Sequence, residues 1–124
     1  RIPMENVILN INMDMISNNN KNELHVAGTS HYPDLKPHVE KVETGLLRVI
    51  FGHDTPDLGN DDWTSSSDHG PFHAKQIPFL YFGVEDHENY HKPTDTFENV
   101  DQPFFAKSAN YILGVILELD KGLN

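Results

Sequence analysis

Eight histidines stand beside nineteen carboxylates in this chain, and carboxylate with imidazole is the ligand set of zinc and similar metals. Three clusters carry the candidates. Asp14 sits between Met13 and Met15 where an apolar stretch gives way to polar residues. A carboxylate at the edge of an apolar sheet needs partners or a cation, because unpaired burial is costly; a turn cap is the alternative reading. Tyr90-His91 is followed by Thr94-Asp95-Thr96. An imidazole such as His91 can bind metal through one nitrogen while the other donates to a carboxylate such as Asp95. The plainer readings are a solvated loop histidine and an Asx turn. His69 and His73 are spaced four apart, as in helical zinc motifs, but no Glu lies between them and Gly70-Pro71 occupies that turn. Mimicry is the better reading there. Asp68 is open between a helix cap and an acceptor near the rim.

The elements that must position these residues follow from periodicity. Residues 5–13 read as a strand and 17–22 as a polar turn, with a second strand at 23–29. Leu35, Val39 and Val42 mark an amphipathic helix, with Asp34 as its N-cap, Pro37 in its first turn and Gly45 at its end. Residues 46–51 form a third strand, and 52–67 a long loop rich in Asp, Gly and Ser. Ser67 or Asp68 would cap a short helix running to Lys75. The almost continuous apolar run at 77–84 has the signature of a strand buried on both faces of a parallel sheet. After a polar loop at 85–100, Asp101 caps a last helix with Pro103 in its first turn, its buried stripe being Phe105, Ala109, Ile112, Ile116 and Leu119. Alternating strands and helices give an α/β layered fold. Ligands of open α/β sheets bind outside the carboxyl ends of strands, so the three clusters are expected on one rim.

Composition narrows the partners. With 124 residues the chain is one domain at most. A net charge of −10 with nine Lys+Arg argues against nucleic acid and anionic membrane. No apolar run approaches the ~20 residues of a membrane span, and without cysteine there are no thiolate sites. The chain opens at Arg1 with strand-forming residues close behind, and is expected to be a piece of a longer one. A sheet of three or four strands would have a naked edge, prone to self-association.

Taken together, the clusters resemble the carboxy-terminal half of the two-zinc aminopeptidases, peptidase family M28, which include bacterial leucyl aminopeptidases and have glutamate carboxypeptidase and glutaminyl cyclase as relatives. The match is carried by Asn10-Ile11-Asn12-Met13-Asp14-Met15, by Ser67-Asp68-His69-Gly70-Pro71-Phe72 with Ile77-Pro78, and by Tyr90-His91 before Thr94-Asp95-Thr96. The resemblance implies a partial three-layer α/β sandwich with a mostly parallel sheet and flanking helices. Residues 1–124 would be the carboxy-terminal part of a single catalytic domain, and the missing amino-terminal half of that same domain would be its partner. It implies two zinc ions in the intact domain, with Asp14 a ligand of one and His91 of the other. Tyr90 resembles the phenol that in some members hydrogen-bonds the tetrahedral intermediate. Asp68, His69 and Asp95 would support the metal site without ligating.

The activity implied is hydrolysis of N-terminal peptide bonds in a substrate with a free amino terminus. Export to periplasm or medium is common among bacterial relatives. Such enzymes also carry an early His, a bridging Asp and a Glu-Glu pair supplying the general base, and no Glu-Glu pair occurs here. The chain alone is therefore expected to be inactive. Where members often continue the aspartate motif into Gly-Arg, this chain has Ile16-Ser17-Asn18-Asn19-Asn20. The alternatives are a glutaminyl cyclase-like enzyme, a metal-free binding or structural relative, and a mononuclear site of His69, His73 and His91.

Overall fold

A computed structural model describes residues 1–56 and 61–123. Four strands, β1 (Asn10–Met13), β2 (Glu23–Ala27), β3 (Arg48–Phe51) and β4 (Phe79–Gly83), form one sheet in the order β1-β4-β2-β3. Helices α1 (Lys36–Glu40) and α3 (Gln102–Leu123) cover one face, and α2 (Gly70–Ala74) packs on the other through His73 and Phe79. The result is the three-layer α/β arrangement expected.

The sheet is mostly parallel, as expected, with one antiparallel seam. β1 runs parallel to β4 and β2 parallel to β3, but β2 and β4 meet antiparallel, with His25 opposite Gly83 and Ala27 opposite Tyr81. All five residues of β4 are buried. Its unbroken apolar run therefore reports two covered faces, not a parallel neighbour on each side. β1 and β3 form the two edges, and β1 is shorter than the expected 5–13 because residues 4–6 form a 3-10 turn.

The two faces differ in chemistry. Leu24, Val26, Leu80 and Phe82 face α1 and α3, where Leu35, Val39, Phe104, Ile112, Val115 and Leu119 complete an aliphatic core. Asp101 caps α3 as expected, its Oδ1 accepting from the Phe104 amide at 3.1 Å. The buried stripe is one residue out of the expected register: Phe104, Ser108, Tyr111, Val115 and Leu119 point inward with Ile112, while Phe105 is 44% exposed. Two adjacent phenylalanines fit either phase of the helical period, and only docking chose between them. α1 is a single short turn preceded by a 3-10 turn at Pro33–Leu35, and Asp34 makes no capping hydrogen bond. At α2 the N-cap is His69, with no side-chain cap, so neither Ser67 nor Asp68 plays that role.

Candidate active site and metal centre

Asp14 continues the β1 ladder, its amide donating to Phe82 O at 3.1 Å. Because β1 and β4 are parallel neighbours, Asp14 and the 85–96 loop leave the sheet at the same rim. β3 runs the other way, so the loop after it starts at the opposite rim, contrary to the single-rim expectation. The stretch 61–69 returns across the sheet face and delivers Ser67, whose hydroxyl donates to Asp14 Oδ2 at 3.0 Å. Residues 57–60 of that expected loop lie outside the described residues.

Gly83 is required at the centre of this rim. A Cβ there would meet the Tyr81 hydroxyl at 2.8 Å and Asp14 O at 3.0 Å. Its absence lets the Tyr81 phenol fold over the strand and donate to Asp14 O at 3.3 Å. Burial first, then the charges of Asp14 and Tyr90, push this phenol up to about 12, so it stays a neutral donor.

Tyr90 and His91 stack with ring centroids 3.8 Å apart, and His91 takes a left-handed backbone with φ 55°. Non-glycine residues pay roughly 1–3 kcal/mol for such a conformation and tend to do so at functional sites. His91 is exposed, its imidazole available. Asp95 is exposed too, and among the described residues no hydrogen bond joins its carboxylate to His91. Asp68 is likewise exposed, its contact with the site being its charge beside His69.

His69 is fully buried and spoken for at both nitrogens. Asn12 Nδ2 lies 3.2 Å from Nδ1, and Nε2 donates to Trp63 O at 2.6 Å. Burial lowers its pKa, which keeps the neutral ring this pattern needs. His73 Nδ1 is held by the Tyr32 hydroxyl at 2.8 Å. Among the described residues His69, His73 and His91 do not come together as a metal-holding group, and His69 instead ties the 61–69 stretch to β1.

A second constellation escaped the sequence reading. His25, His53 and Glu85 bring one donor atom each within 4.8 Å of one another. Sequence signals existed for two of them. Alternation in Leu24-His25-Val26 turns His25 away from the aliphatic core, and Glu85 follows closely on the buried strand. His53 needed the tertiary fold.

The model of peptidase family M28 matches residues 1–116. The chain belongs to peptidase family M28. Comparison with curated proteins and with solved structures yields no significant match. Membership makes the chain part of a family of metal-dependent hydrolases of peptide bonds, whose members generally bind zinc. The exposed Asp14 carboxylate and the exposed His91 imidazole have the donor chemistry zinc takes, although a catalytic zinc usually has three protein ligands.

Proposed function

We propose that this M28 chain is the carboxy-terminal part of a zinc aminopeptidase domain, and that by itself it does not hydrolyse peptides. The observation that carries the reading is the shared rim: Asp14 at the end of β1, with the Tyr81 hydroxyl on its carbonyl, and Tyr90-His91 in the loop that leaves the same end of β4. Asp14 and His91 would hold zinc, completed by ligands from the amino-terminal part of the domain packed near the open sheet edges. Bound zinc supplies an acidified water and a polarised carbonyl. The residues of this chain do the rest of their work by placement. Ser67 holds the Asp14 carboxylate, and Tyr90 donates to the oxyanion formed from the scissile carbonyl. Asp86, Glu88 and Asp101 line an adjoining cleft and give it negative charge suited to a substrate's free ammonium group.

The test is made in the intact parent domain, on an aminoacyl amide and on an N-terminal glutaminyl peptide. His91→Ala is expected to lower zinc content and abolish cleavage; equal zinc and equal rates in the two proteins would overturn the assignment. Tyr90→Phe is expected to keep its zinc while kcat falls about 10²–10³-fold. Cyclisation of the glutaminyl peptide without cleavage of the amide would move the domain to the cyclase branch.

A further inference from the structure

We propose that His25, His53 and Glu85 form a second cation site, independent of the Asp14–His91 rim, that takes a divalent ion of the zinc class. His53 Nδ1 lies 2.7 Å from Asp61 O. A carbonyl only accepts, so Nδ1 carries a proton and Nε2 is the atom left to face Glu85, with Oε1 at 3.0 Å. A shared proton or a shared cation can bridge that separation, and the surroundings favour the cation.

His25 strengthens the case. It is 6% exposed, and among the described residues neither of its ring nitrogens has a hydrogen-bond partner. Leaving a buried imidazole unpaired costs on the order of 1–3 kcal/mol. Its Nε2 lies 4.0 Å from the same Glu85 oxygen. Metal–ligand bonds of about 2.1 Å at tetrahedral angles put donor atoms about 3.4 Å apart, a value the two observed separations bracket. Two imidazoles with one carboxylate make a zinc-type donor set, and the His53–Asp61 bond is the outer contact that usually orients a ligating histidine.

Trp63 closes the site, stacked on His53 with centroids 3.6 Å apart and planes 3° from parallel, its edge toward His25 at 5.6 Å. An ion here would tie β2, the turn after β3 and the start of the 85–96 loop together. That loop carries Tyr90 and His91, so the site would steady the rim without belonging to it.

Trp63 is the chain's single tryptophan, which makes the test direct. Co(II) titrated into this chain is expected to quench Trp63 fluorescence at one equivalent, with tetrahedral visible absorption, and Zn(II) to reverse the quenching. Glu85 is exposed, so Glu85→Gln leaves the fold intact, as circular dichroism checks. It should weaken quenching more than about 100-fold, and His53→Gln likewise. Asp14→Asn and His91→Ala should leave the titration unchanged. Absence of quenching in the wild type, which would leave His53 and Glu85 a proton-bridged pair, overturns the proposal. Equal titrations for wild type and Glu85→Gln do the same, as does loss of quenching in Asp14→Asn.

Discussion

The two faces of the sheet solve different problems. The face toward α1 and α3 is filled by aliphatic and phenylalanine side chains that ask of one another only shape. The opposite face is built from rings with polar atoms: His25, His53, Trp63, His69, His73 and Tyr81 stack around Phe79 and Ala27. There His53, His69, His73 and Tyr81 each take a named hydrogen-bond partner, and His25 stands apart with none among the described residues. The first face is held by area removed from water, which is non-directional. The second is held by hydrogen bonds whose geometry fixes where Ser67, Asp14 and Tyr81 lie. Chemistry can be placed with sub-ångström precision only where directionality does the holding, and both candidate sites are on that side.

Substitutions can break this contrast, the largest effect first. Phe104→Ala empties a fully buried position of the aliphatic face and is expected to cost about 3–5 kcal/mol in denaturant unfolding. His69→Leu, on the polar face, keeps the volume but strands Asn12 and Trp63 O, with an expected cost of about 1–3 kcal/mol. It should also change the pH dependence. Burial lowers the folded pKa of His69, so below about 6.5 the unfolded chain binds the extra proton more readily. The stability His69 contributes is whole above that pH and is lost as pH falls toward the folded value. The His69→Leu protein should therefore lose less stability than the wild type over that range.

Smaller effects sharpen the comparison. Asp101→Ala removes the cap of α3 and is expected to cost about 1 kcal/mol, seen as a lower Tm. Phe105→Ser, one residue from Phe104 but turned outward, should change stability by no more than about 0.5 kcal/mol. A cost near that of Phe104→Ala would mean that the stripe lies in the register the sequence alone favours.

Much of the molecule was readable beforehand, for reasons that can be named. β4 announced itself because five successive residues are buried, and Asp101 because a capping carboxylate leaves a local mark. The phase of α3 did not, since Phe104 and Phe105 are equally apolar. Asp34 failed as a cap because the chain there tightens into a 3-10 turn around Pro33. The antiparallel seam between β2 and β4 was invisible, as strand direction leaves little trace in side-chain pattern once both faces are covered. His69 is not open to a helical zinc motif with His73, since Asn12 and Trp63 engage both of its nitrogens, while Tyr32 holds His73 Nδ1.

The sequence by itself determined which residues could do chemistry, that strands and helices alternate, and that Asp14 and His91 follow strands. Those properties reside in side-chain type and in spacing along a few turns of chain. Only the tertiary structure decided that β1 and β4 are parallel neighbours, that the 61–69 stretch crosses back to place Ser67 on Asp14, and that His25, His53 and Glu85 meet. Such meetings join residues tens of positions apart, and the side-chain pattern that admits them is compatible with several strand orders; packing of the aliphatic face selects one.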